Sequence, residues 1–155
     1  HAGFIGHSGA ADDTVVADKA HAEKLLEEAK EVAINMVNFT LSHGMDTDGG
    51  LFDEGHEEGG IAVPNKVWWV QAEAVVGSVN AWQITGDEKY LDSALKSWAY
   101  IKAEIINGPA GEWFASGKNS PDEENSHLLC GPWKCPYHNA RAAFEIYERC
   151  EALEK

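Results

Sequence analysis

A tryptophan, a cysteine, a tyrosine, a histidine and an arginine crowd the run Trp133-Lys134-Cys135-Pro136-Tyr137-His138-Asn139-Ala140-Arg141 around what reads as one helix start. Proline at the first helical position needs no N–H and already holds φ near the helical value, so the spacing makes Cys135 the N-cap and Pro136 the first helical residue. His138 then falls in the first turn, where unpaired backbone N–H groups and the positive end of the helix dipole disfavour an imidazolium. A neutral histidine in that place can act as a base. Arg141, three residues on, lies on the same side of the helix. Trp133, just outside the helix, could lay an apolar face against a sugar ring. The same residues also suit a plainer structure, a proline-started core helix with a satisfied histidine, and the segment alone leaves both open.

A second constellation lies in Lys66-Val67-Trp68-Trp69-Val70-Gln71-Ala72-Glu73. Trp69 and Glu73 are four residues apart and therefore stacked one turn above the other. An aromatic plate beside a carboxylate can hold a sugar, by covering its C–H face and accepting its hydroxyls. Trp68 suits the core better. Glu73 sits in an apolar run from Ala72 to Val79, where a carboxylate without a hydrogen bond costs several kcal/mol; this favours a site, although pairing with a nearby Lys or Arg would also answer it.

These side chains need elements to position them. Residues 20–42 carry Leu25, Leu26, Ala29, Val32, Ala33, Met36, Val37 and Leu41 at the spacing of an amphipathic helix, closed by Gly44. A turn into a short strand is expected at Asp48-Gly49-Gly50-Leu51-Phe52-Asp53-Glu54-Gly55, with Gly59-Gly60 and Pro64 making the loop after it. A second helix is expected over 66–84, apolar on most sides, and a third over 88–106, started by Asp87 and ended by Gly108-Pro109. A short-strand pattern returns at Trp113-Phe114, and a fourth helix covers 136–153. The order helix, long loop with a short strand, helix, tight turn, helix thus occurs twice, at an offset of roughly 62 to 69 residues. The fold class is all-α, made of α/α hairpins with short β strands in the long loops. Both long loops precede the Trp68 and His138 helices, so those helices begin on one loop-rich face, where chemistry is usually carried.

Composition limits the partners. The 155 residues suffice for a single domain, 1–155, with a real core, and 44% hydrophobic residues exclude wholesale disorder. Twelve basic against 26 acidic residues give a net charge of −14, which repels phosphate backbones and anionic lipid, so no nucleic acid is expected as a partner. No apolar run approaches the roughly 18 residues needed to span a bilayer, so no membrane is expected either. Cys130, Cys135 and Cys150 lack the spacing of a disulfide framework or a zinc site, which points to reduced thiols and a cytoplasmic setting. His56-Glu57-Glu58 beside Asp53 and Glu54 could chelate a metal, but in a Gly-rich exposed loop they read as solvated surface. His21, His43 and His127 read as surface histidines. The chain opens with His1, as a processed or cut start would.

The runs Gly49-Gly50-Leu51-Phe52-Asp53-Glu54-Gly55, Lys66 to Ala74, Thr85-Gly86-Asp87-Glu88-Lys89-Tyr90 and Trp133 to Asn139 resemble, in order, the C-terminal portion of the N-acylglucosamine 2-epimerase and cellobiose 2-epimerase family. The resemblance covers Leu25 to the C-terminus and leaves 1–20 poorly matched. It implies part of an (α/α)₆ barrel with the sugar at the loop-rich face. It also implies a reaction that needs no metal and no cofactor, in which one histidine takes the C2 proton of the ring-opened sugar to give an enediolate and another returns it on the opposite face. By the resemblance His138 is one of these histidines, Trp133 stacks on the sugar, and Trp69 and Glu73 bind it; Arg141, on the same side of the helix as His138, is read as a further sugar contact. The second histidine belongs to a Gly-His-Asp/Glu-Ile-Glu-Ala-Ser motif, of which Gly6-His7 is the matching start, making His7 its counterpart. More than half of such a barrel lies outside the match. The chain is therefore expected to be a fragment of a larger enzyme, or to self-associate over the uncovered helix faces. An aldose–ketose isomerase of the same superfamily and a non-catalytic carbohydrate-binding module are the alternatives.

Overall fold

A computed structural model describes residues 10–117, 119–121 and 126–153. Two units follow one another along the chain, one up to Asn35 and one from Met36 onward. The first is helical throughout its described part, belonging to α1 (Ala10–His43). The described helix begins ten residues before the apolar periodicity does, and no glycine or proline interrupts the chain between Ala10 and His43. Its surface carries the i,i+4 pairs Lys19–Glu23 and Lys24–Glu28, and Leu25, Leu26 and Val32 are exposed.

The second unit holds the end of α1, a hairpin of β1 (Glu54–Gly55) and β2 (Ile61–Val63), α2 (Trp68–Thr85) and α3 (Glu88–Tyr100). A π-helical turn (Ile101–Ile105), a second hairpin of β3 (Ile106–Asn107) and β4 (Glu112–Trp113), and α4 (Tyr137–Leu153) follow. Both hairpins are antiparallel, with Glu54 opposite Val63 and Ile106 opposite Trp113. The turn into a short strand expected over Asp48 to Gly55 ends in β1, and Leu51 within it makes an isolated bridge to Met45. Gly59 and Gly60 form the hairpin turn with φ of 96° and 90°, a conformation that favours glycine, so Ile61–Val63 is a strand where the sequence suggested a loop.

Helix α2 is the centre of the unit and packs on α3 and α4. Trp68, Val75 and Val79 join Ala94, Tyr100, Ile101, Ile105 and Ala115 in the main core, as the apolar circumference of the sequence requires. No side chain caps α2; the Trp68 N–H donates instead to the Ala115 carbonyl at 3.0 Å, which ties the helix start to the segment after β4. Gly86 ends it at φ 71°, and Asp87 caps α3 by accepting the Lys89 N–H. Buried Gln71 exchanges two hydrogen bonds of 2.8 Å with the Leu51 backbone and so fixes the first long loop against α2.

Lys66 fastens the same corner. Its side chain is 9% exposed, its ammonium lies 2.7 Å from carboxylate oxygens of both Asp46 and Asp48, and it stands over the Phe52 and Tyr100 rings. Replacing it leaves two partly exposed carboxylates facing each other without a cation. Lys66→Met is therefore expected to cost about 2 kcal/mol, read as a melting temperature lower by roughly 4 to 8 °C; an unchanged melting curve would show that the loop does not depend on this pairing.

Candidate active site

The site residues come from two helix starts. Trp69 is the second residue of α2 and Glu73 lies one turn further in; His138 is the second residue of α4 and Arg141 follows on the same side. Helix α4 begins at Tyr137, one residue later than the proline rule suggests, and the Pro136 carbonyl accepts the Ala140 N–H at 2.9 Å. His138 remains in the first turn.

Packing of α4 on α2 joins these four side chains. His138 Nδ1 lies 2.8 Å from Glu73 Oε1, and Arg141 donates to Glu73 Oε2 and to Glu145 Oε1. Trp69 stands with its ring centroid 5.9 Å from the imidazole, and Tyr137 meets the same ring edge-on at 5.0 Å. Trp69 is 41% exposed. Beyond Glu145 the charges alternate along α4 to Arg149, which reaches Gln83 on α2 at 2.8 Å.

Burial by itself would raise the Glu73 carboxyl, but hydrogen bonds from Arg141 and His138 outweigh it and hold the group below the usual carboxylate range. An ionised carboxylate only accepts hydrogen bonds, so Nδ1 of His138 must carry the proton that lies between them. In the neutral ring the lone pair is then on Nε2, and the tautomer is fixed by the neighbour rather than left to chance.

A buried polar group anchors the start of α4. Glu112 on β4 accepts the Trp113 N–H at 2.6 Å and the Asn139 side-chain amide at 2.7 Å, and pairs with Lys134 at 3.1 Å. Lys134 is 3% exposed and its ammonium lies over the Trp68 ring. Because Lys134 and Asn139 flank His138 in sequence, this group holds the histidine's helix turn in place. The sequence reading missed Glu112; its only signal was an acid beside the Trp113-Phe114 pattern.

Trp133 stands outside the four-residue group. It is 89% exposed, in a loop closed by the Gly131 N–H to the Lys134 carbonyl, and borders a small cleft with Val67, Trp68 and Lys134. His7 lies outside the described residues. His56, Glu57 and Glu58 are exposed around the β1–β2 turn. Cys130, Cys135 and Cys150 are free thiols on the surface.

The sequence profile of the N-acylglucosamine 2-epimerase (GlcNAc 2-epimerase) family matches residues 12–142. The chain belongs to this family. The match contains Trp69, Glu73, Trp133, His138 and Arg141 and excludes His7. A cellobiose 2-epimerase of Ruminococcus albus is 48% identical over 85 residues, covering 54% of this chain and 22% of that protein. The cellobiose 2-epimerase of Dictyoglomus turgidum is 36% identical over 133 residues, covering 81% of this chain and 32% of that protein. The crystal structure of a sugar epimerase from a ruminal bacterium superposes with a TM-score of 0.70 at 36% identity, over 85% of this chain and 33% of that one. The chain thus spans at most a third of the length of these epimerase-family relatives. Its α/α hairpins and short β-hairpins are a part of the family's (α/α)₆ barrel.

Proposed function

We propose that this chain is the part of a sugar 2-epimerase that carries one of the two acid/base histidines, His138. The observation that supports this most is the contact of His138 Nδ1 with an ionised Glu73, which leaves Nε2 as the proton acceptor. In this reading His138 takes the C2 proton of a ring-opened aldose or N-acylhexosamine, leaving an enediolate, and the protonated ring returns it or hands the task to a second group on the opposite face. Glu73 orients the imidazole and stabilises its protonated form, Arg141 balances the charge of Glu73, and Trp69 offers an aromatic plate beside the reacting carbon. Trp133 is assigned a second stacking contact. Because it precedes α4 and is exposed, Trp133→Ala is expected to weaken sugar binding about tenfold with unchanged helical content; equal loss of fold and binding would place it in the core instead.

The test is deuterium incorporation. Cellobiose, mannose or N-acetylglucosamine incubated with the protein in D₂O should acquire deuterium at C2, followed by NMR, and a 2-epimer identifies epimerisation. A ketose product would move the reading to an aldose–ketose isomerase, which shuttles the same proton between C2 and C1. Sugar binding without exchange would leave a carbohydrate-binding module.

Self-association belongs to the same proposal. Leu25, Leu26 and Val32 on α1, and Phe144 and Tyr147 on α4, are exposed large hydrophobics that a second polypeptide surface would cover. Light scattering is expected to give a mass that rises with concentration; a compact monomer that binds no apolar dye would remove this part of the proposal.

A further inference from the structure

A cleft of about 360 Å³ in the second unit runs along α2 past Trp69, Glu73 and Gly77, and is closed on the other side by Leu41, Phe52 and Asp53. Two carboxylates and no cationic side chain line it. Glu73 has both oxygens engaged, one by His138 and one by Arg141. Asp53 differs: among the described residues no hydrogen bond or ion pair reaches its carboxylate. Its loop neighbours Asp46 and Asp48 are both held by Lys66, so Asp53 alone of the three keeps its acceptors free. The backbone beneath it is fixed, since the Asp53 N–H donates to the Asn65 carbonyl at 2.8 Å, two residues before Val67 bridges to Ser116. Burial, and then the neighbouring Glu54, raise its carboxyl from the usual value, as expected for a group short of donors.

A rigidly presented, partly buried acceptor beside two aromatic rings has a chemical complement: a neutral ligand with hydroxyl donors and an apolar C–H face. An anion would meet uncompensated negative charge. We infer that Asp53 accepts hydrogen bonds from the sugar's hydroxyl groups and sets which sugars the cleft admits; this rests on the sugar-site reading above. No role in proton transfer is assigned to it.

The experiment compares the full chain with Asp53→Asn and Asp53→Ser by titration of intrinsic tryptophan fluorescence. The probes are cellobiose and two carboxylate relatives of it, one oxidised at C1 and one at C6 of the non-reducing ring. Both variants should bind cellobiose on the order of tenfold more weakly, because a charged hydrogen-bond acceptor is lost. The preference for cellobiose over at least one of the carboxylate relatives should fall by a similar factor, a readout that a purely structural role would not move. Wild-type affinity and an unchanged neutral-to-anion ratio in folded Asp53→Asn or Asp53→Ser would overturn the inference while leaving the sugar site intact. Absence of cellobiose binding by the unsubstituted chain would instead overturn the sugar-site reading, and the Asp53 assignment with it.

Discussion

His138→Asn is expected to lower C2 proton exchange by at least about 100-fold, the lower end of general acid–base effects, while sugar affinity changes far less. The substitution is chosen for what it keeps. An asparagine amide at the second position of α4 can still donate to Glu73, so the carboxylate is not left facing Arg141 alone and the helix start is not disturbed. What disappears is Nε2, the ring nitrogen that Glu73 does not engage. Exchange is followed by NMR in D₂O in the intact protein, and binding by fluorescence titration. Parent-like exchange in His138→Asn would remove the histidine from the chemistry, and with it the main support for the epimerase reading. Matched losses of exchange and affinity would instead give His138 a binding role.

Glu73→Gln is expected to cost on the order of 100-fold in the same exchange, for a different reason. An amide can offer either its carbonyl or its NH₂ to Nδ1, and the second choice moves the ring proton to Nε2, where the base should be. Protonated His138 also loses the charge that stabilises it. The variant carries a second signature in acid. Glu73 is held below the usual glutamate value of 4.5 in the folded protein, so its contribution to stability is complete above that value and is lost as the pH falls below it. Melting temperature should therefore fall less steeply below pH 4.5 in Glu73→Gln than in the parent. An exchange rate within threefold of the parent would show that the histidine needs no carboxylate, and parallel acid limbs would show that Glu73 adds nothing to folding.

Local chemistry made much of this protein legible. The i,i+3 and i,i+4 apolar spacing, Gly86 at φ 71° and the Asp87 cap place both ends of α2 and the start of α3 within two residues of where the sequence puts them, because periodicity, caps and glycine conformations act over one or two turns; past Tyr100 the third helix continues only as the π-helical turn Ile101–Ile105. The all-α class with short strands in long loops, and the position of His138 in the first turn of α4, follow from the same short-range rules. Where a short-range rule had two solutions the reading failed: Gly59-Gly60 serves equally as loop or hairpin turn, and only pairing with Glu54 and Gly55 makes Ile61–Val63 a strand.

The site itself was decided by packing. Sequence could say that Glu73 needs a partner and that His138 sits at a helix start, but 65 residues separate them, and no local rule says that α4 lies on α2. Tertiary structure joins them, and in doing so turns Glu73 from a free carboxylate into one with both oxygens occupied by His138 and Arg141. It also sets Trp133 apart from this group, buries Lys134 against Glu112, and, among the described residues, leaves the Asp53 carboxylate unpartnered while Asp46 and Asp48 close on Lys66. Residue type and spacing fix what a side chain can do. Which partner satisfies it depends on distances across the fold, because hydrogen bonds and ion pairs act over a few ångströms of space, however far apart the partners lie along the chain.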